Sequence, residues 1–347
     1  MSAETNTQGG VGHGWRLALS ALERFGVVIA FIALFAYNAI TQPDTFLKPE
    51  NLRNLLNQNA DIGVIAVGMT LVIIAGGIDL SVGAVMAFGA AVGMLTMNAL
   101  FEGGNNEVLS VVVGLATGIG LGAACGLLNG LLVTLGKIPA FIVTLAGLIG
   151  FRSVTLAIAE GGEIRAADGL TALQTFGRGG IDIPGVVDYY NQPVVFYWNI
   201  LIFFAVVIAG QLLLSRTRMG RHLIAVGSNE VAARYSGIPV NRVRTWSYVI
   251  VGACAGIAAL MSLTRMNSVS SSGVGHLAEL DAIAAVVIGG TAMTGGRGRV
   301  WGTMLGVLIL IMISNMLTLA DVEVYWQGFV KGVIIILAVL IQRGRAN

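Results

Sequence analysis

Charge is scarce in this chain. Only 11% of its 347 residues are Asp, Glu, Lys or Arg, against roughly 25% in a soluble domain, so an ordinary aqueous surface, and with it a soluble enzyme, is excluded. Cysteine is almost absent. Cys125 and Cys254 both sit in Gly/Ala-rich apolar runs, which rules out a disulfide scaffold and reads as two small buried side chains. Proline numbers six beside 48 glycines, and the glycines follow no collagen-like period. The three histidines, His13, His222 and His276, are scattered and form no metal-ligand spacing. No G-x-x-x-x-G-K-[ST] phosphate cradle and no G-x-S-x-G nucleophile turn occurs. The net charge of +2 gives no reason to expect nucleic acid as a partner.

What the chain has instead is apolar length, with 56% of its residues hydrophobic. A helix needs about 20 apolar residues to cross ~30 Å of hydrocarbon. Ten runs qualify as candidate spans, at 24–41, 60–77, 80–98, 108–135, 138–158, 194–214, 244–264, 279–294, 300–319 and 325–342. They predict an all-α polytopic membrane protein of about ten transmembrane helices. The runs are continuous and do not alternate, so strands are not expected. The run after Arg24 has spanning length and no small-residue cleavage site, and reads as a retained first span. The run at 279–294 is short and begins with Glu279 and Asp281.

The basic residues set the expected orientation. With the N-terminus inside, the inner connections hold Arg16, Arg24, Lys137, Arg216, Arg218, Arg221, Arg234, Arg242, Arg244, Arg297, Arg299, Arg343 and Arg345, and acids dominate the outer ones. Ten spans return the C-terminus to the inner side, giving N-in/C-in. The expected organisation is an inner tail at 1–23, a single membrane domain at 24–342 and an inner tail at 343–347. Segment 159–193 lies outside and a basic connection at 215–243 lies inside. Trp15, Tyr37, Tyr197, Trp198, Trp246, Tyr248, Trp301, Tyr325 and Trp326 fall near predicted span ends, as an aromatic belt does.

Gly114, Gly118, Gly122, Gly126 and Gly130 recur every four residues and share one helix face, where another backbone can approach closely. Gly89/Gly93, Gly252/Gly256 and Gly302/Gly306 repeat the spacing.

Three segments break the apolar pattern. In GGIDLSVG at 76–83, Gly77 can end one helix, and Asp79 or Ser81 can cap the next. The segment reads either as a tight surface turn or as a functional break carrying a charge. GGTAMTGG at 289–296 echoes it, with Thr294 against Ser81 and Gly296 against Gly83. In the third, residues 228–235 read as a short helix capped by Ser228 or Asn229 and stopped by Gly237, either part of a plain basic loop or a docking element for a cytosolic partner. Arg152 is a further charge inside a span.

GGIDLSVG at 76–83, KIPAFIVTLAG at 137–147, AVGSNEVAARYSGIPV at 225–240, ELDAIAAVVIGGT at 279–291 and WQGFVKGVIIILAV at 326–339 together resemble the permease subunits of bacterial monosaccharide ABC importers. These ribose/xylose/galactose-type permeases lie within the larger group that includes branched-chain amino acid permeases. The resemblance covers nearly the whole chain in the family's order. It implies a pair of permeases in the inner membrane, as homodimer or heterodimer, with two cytosolic ATPase subunits that use ATP and Mg, and a periplasmic sugar-binding protein. No cofactor is implied for this chain itself, and no enzymatic activity. It also implies a coupling loop at Gly227, Ser228, Asn229, Glu230, Ala232, Ala233, Arg234 and Gly237. The spacing here is E-x-A-A-x-x-x-G, which departs from the E-A-A-x-x-x-G of other importers. Residues expected along the solute path are Asp79, Ser81, Asn129, Thr144, Arg152, Thr291 and Thr294. The rival readings are an ion-coupled carrier using Asp79, Glu279 and Asp281, a non-transporting membrane scaffold, and an ABC permease for a branched-chain amino acid or nucleoside.

Overall fold

The computed structural model describes residues 11–187 and 193–343. The chain runs through α1 (Val11–Thr41), α2 (Pro43–Phe46), α3 (Pro49–Ile74), α4 (Val82–Glu102), α5 (Glu107–Thr134) and α6 (Ala140–Ile158). Then come β1 (Glu163–Arg165), α7 (Thr171–Arg178), β2 (Gly180–Val187) and β3 (Pro193–Tyr197). The second half holds α8 (Trp198–Arg216), α9 (Arg218–Ser228), α10 (Glu230–Tyr235), α11 (Val240–Met266), β4 (Ser268–Ser270), α12 (Ala278–Ile288), α13 (Val300–Leu319) and α14 (Val324–Arg343).

Among the described residues seven helices are long and apolar enough to cross a membrane: α3, α4, α5, α6, α8, α11 and α13. The chain is thus a multi-pass membrane protein. The apolar part of α1, Phe25–Thr41, is shorter. The run expected at 279–294 is not one span. Its helix, α12, has 11 residues, about 16 Å at ~1.5 Å per residue, roughly half the hydrocarbon thickness. The apolar run overstated the helix because it continues into a Gly-Gly turn.

Strands do occur, against expectation, but only in the connections. β1 pairs antiparallel with β4, Glu163 opposite Ser270, and β2 pairs antiparallel with β3. Segment 159–193 therefore carries β1, α7 and β2. Leu173 of α7 is buried, Gly177 lies against the Thr264 carbonyl at the end of α11, and the Glu107 carboxylate accepts from the Ala172 amide.

α3 and α11 are the most enclosed of the seven and α6 the least. α3 starts with Pro49 in its first turn and Glu50 near its positive end, both favourable there. α5 is capped by the Asn106 side chain, which accepts from the Val108 amide at 2.9 Å. All five expected glycines of α5 are buried, and the stripe serves two partners. Gly114 and Gly118 meet the carbonyls of Gly93 and Gly89 in α4. Gly122, Gly126 and Gly130 meet Gly252, Tyr248 and Thr245 in α11. Gly302 and Gly306 lie in the same way against Gly289, just past α12, and Ala285 within it. Cys125 and Cys254 are buried and unpaired with each other.

Two ends of the bundle are chemically distinct. Ile74, Lys137, Arg216–Arg244 and Arg297–Arg299 gather at one, called the basic end. Glu102, Glu107, Glu163 and Asp168 lie at the other.

Candidate functional site

The break between α3 and α4 is built by main-chain geometry. Gly76, not Gly77, takes the left-handed conformation, with φ +79. The Gly77 amide then reaches back to the Val72 carbonyl at 2.9 Å, closing the helix in a Schellman pattern. The outgoing helix is not capped by a side chain at Ser81. Instead the Asp79 carboxylate turns inward and accepts from the Ser81 amide at 2.8 Å and the Ser81 hydroxyl at 2.6 Å. Asn129 of α5 donates to Ser81 Oγ at 2.8 Å. All three side chains are buried. Asn129 is five residues before the end of α5, about 7–8 Å at ~1.5 Å per residue, so the break sits inside the bundle and not at its rim. Gly147 of α6 covers it, close to Ser81 and Asn129. Thr144, one turn away on α6, is buried with its hydroxyl bonded to the Ala140 carbonyl.

Arg152 is spent on main chain. It donates to the carbonyls of Ser271 and Val274 at 2.9 and 2.8 Å and to that of Gly83 at 3.4 Å. It thereby pins the start of α4 to the segment leading into α12, where Gly83 and Gly275 are in backbone contact. Five of the seven expected path residues thus cluster around α4, α5 and α6. Thr291 and Thr294 lie apart on the α12–α13 turn, Thr291 buried and Thr294 exposed.

The echo between the two glycine segments holds in the backbone and fails in the side chains. Gly290 has φ +86 and the Thr291 amide bonds the Val286 carbonyl at 3.2 Å, the same closure as at 72–77. Matching the closures pairs Gly76 with Gly290, one residue off the register that paired Ser81 with Thr294.

The basic connection folds into two helices. α9 was not expected; it is capped by Thr217, whose hydroxyl accepts from Gly220. α10 starts where Asn229 accepts from the Ala232 amide at 2.9 Å and ends at Gly237, φ +77. Of the expected coupling residues, Ala233 is buried and Ala232, Arg234 and Gly237 are exposed. Glu230 accepts from Arg234 at 2.9 Å and from Arg244 of α11 at 2.8 Å. Partial desolvation opposes ionisation of Glu230. The two guanidiniums outweigh it and hold the carboxyl below its usual range.

The loop and the breaks are separate in sequence, and the structure joins them at one carbonyl. Ile74 O accepts from the Gly296 amide at 2.9 Å. Gly227 lies directly against that same carbonyl, and a Cβ there would collide with it. The end of α3, the α12–α13 turn and the end of α9 therefore meet backbone to backbone, and Ser228 adjoins Gly296.

Tyr248 corrects the expected aromatic belt. It is buried in α11, which begins at Val240 and not near 244, and its hydroxyl donates to the Ile78 carbonyl at 3.2 Å. Tyr37, Trp198, Trp246, Trp301, Tyr325 and Trp326 are exposed, as belt residues are, while the side chain of Trp15 lies outside the described residues. Two ion pairs were also missed. Arg265 meets Asp61 at 3.3 Å across α11 and α3, and Lys331 meets Asp281 at 3.4 Å across α14 and α12. Their partners are far apart in sequence, and no local pattern announces them.

Comparison with known proteins agrees with this architecture. The chain is 38% identical over 328 residues to the ribose import permease protein of Bacillus subtilis, covering 94% of each chain. It is 39% identical over 315 residues to the ribose import permease protein of Escherichia coli K12, 90% of this chain and 92% of that one. It is 34% identical over 369 aligned positions to the xylose transport system permease protein of the same strain, 92% and 91%. Residues 51–339 match the pattern of a single family. The chain belongs to that family, described as the branched-chain amino acid transport system permease component.

Proposed function

We propose that this chain is the transmembrane permease subunit of an ATP-driven importer that carries a monosaccharide, a pentose or hexose, across the bacterial inner membrane by alternating access. The names of its ribose and xylose relatives support the substrate class. The observation that carries the mechanism is the junction at Ile74. α10 is tied to α11 through Glu230 and Arg244, and Gly227 is seated on the end of α3. A displacement of the α9–α10 unit therefore moves both central helices together.

In this reading the basic end faces the cytosol. ATPase subunits, which supply ATP and Mg chemistry, grip residues 227–237, and a second permease copy completes the gate. The sugar-binding protein docks on the outer side, at segment 159–193. α1, α12 with its leading segment, and α14 complete ten passes, N-in and C-in. A sugar's hydroxyls need partners in a low-dielectric path, because leaving them unpaired costs several kcal/mol each. Asp79, Ser81, Asn129 and Thr144 form one polar bank, Thr291 and Thr294 a second, and Arg152 positions the first. ATP-driven closure of the partners biases a two-state bundle between outward and inward openings. Asp281 is already paired with Lys331, which argues against its use as an ion-coupling acid.

The test is uptake in proteoliposomes containing the permease, its ATPase and its binding protein. Glu230→Arg should lower ATP-driven uptake at least about fivefold, the lower end of ordinary coupling energies, with membrane insertion intact. Full uptake in that variant, or full uptake by the permease alone under an ion gradient, would overturn the reading.

A further inference from the structure

We propose that the basic end binds one anionic phospholipid, its phosphate in a polar chamber beneath the 76–77 turn and an acyl chain in an apolar crevice between α5 and α11. The chamber, about 460 Å³, is walled by Lys137, Arg234 and Arg244 against one carboxylate, Glu230, with the hydroxyls of Ser247 and Tyr248 nearby. Three cations and one anion leave a surplus of two positive charges. Both arginines already share Glu230, yet each guanidinium keeps further N–H donors. Among the described residues no carboxylate lies within ion-pair distance of Lys137. Lys137 also holds a left-handed backbone, φ +54, that a lysine rarely adopts.

The crevice, about 540 Å³, is lined by Leu127 and Leu131 of α5, Leu135 just past its end, and Trp246 and Val249 of α11, with Arg242 the one charged residue on its wall. The two cavities share Thr134 and Asn241, so a charged chamber borders an apolar slot. That is the outline of an amphiphile. A soluble anion would answer the charge and leave the slot bare. A zwitterionic lipid would fill the slot and leave the surplus charge unanswered. Basic pockets between helices at the cytoplasmic surface suit anionic headgroups. The placement rests on the orientation proposed above, but binding needs neither ATP nor sugar and so fails independently of uptake.

The experiment reads Trp246 as the fluorescence difference between the wild-type chain and Trp246→Phe. Both are placed in nanodiscs with phosphatidylglycerol or phosphatidylcholine brominated on the acyl chain, at equal mole fraction. Phosphatidylglycerol should quench Trp246 with at least about fivefold higher apparent affinity, the effect of about one basic residue at an anionic surface. Lys137→Gln should remove most of that preference and Lys137→Arg should keep it. Equal quenching by the two lipids would overturn the proposal, as would an unchanged preference in Lys137→Gln. So would loss of the preference on adding excess inorganic phosphate at constant ionic strength, which marks a soluble-anion site. Disulfide cross-linking of Leu131→Cys between two permease copies would assign the crevice to a second copy and also overturn it.

Discussion

Glu230 accepts from Arg234 on its own helix and Arg244 on the next, and this ties the six-residue α10 to the 27-residue α11. Its carboxyl is held below the ordinary range by those two charges. A carboxylate with a lowered folded-state pKa contributes its stabilisation above the unfolded value, and loses it as pH falls through the folded one. The α10–α11 tie should therefore be intact at neutral pH and slacken only below the ordinary carboxylate range. The effect is modest, because the pair is part-exposed and screened. A spin label at Tyr235→Cys reports it. Tyr235 is exposed, so the label follows the helix backbone, and it should be less mobile at pH 7 than after acidification. In Glu230→Gln it should be mobile already at pH 7 and insensitive to pH. A pH-independent label in the wild-type chain would show that Glu230 is not the tie.

At the scale of elements, glycines decide which helices touch, and two on α5 make the point by contrast. Gly122 lies against the Gly252 carbonyl and Gly256 of α11, whereas Gly120 faces open space. Gly122→Ala should force α5 and α11 apart and lower the thermal unfolding midpoint in detergent by several degrees. Gly120→Ala should be neutral or mildly stabilising, since Ala exceeds Gly in helix propensity by about 1 kcal/mol. Equal midpoints would mean that the stripe does not set the α5–α11 distance. This stripe was legible in the sequence because a four-residue period maps directly onto one helix face. So were the Asn229 cap and the Gly237 stop, which are local in sequence. α12 was misjudged because hydropathy counts apolar residues without regard to where a backbone turns, and Gly289-Gly290 ends the helix early. α9 was missed because its apolar run, Leu223 to Val226, is only four residues long and sits among basic ones. The junction at Ile74 was not legible at all. It joins segments some 150 and 220 residues away through backbone atoms, and the glycines that permit the approach do not announce which carbonyl they meet.

At the scale of the whole molecule, charge and connectivity make one claim together. The bundle has a basic end that bears α9–α10 and the Ile74 junction, and an acidic end covered by α7 and two small two-stranded sheets. Positive residues remain on the cytoplasmic side during insertion, so the two ends should face opposite compartments. Cys125 and Cys254 are both buried, and Cys125→Ala with Cys254→Ala leaves a background for single labels at two exposed positions. Ser236→Cys, just beyond α10, should react with a membrane-impermeant maleimide only after the cells are permeabilised. Asp168→Cys, between β1 and α7, should react in intact spheroplasts. Labelling of both positions from the outside would place the lever where no ATPase could reach it, and the chemistry assigned to Glu230, Arg244 and Gly227 would then need another partner.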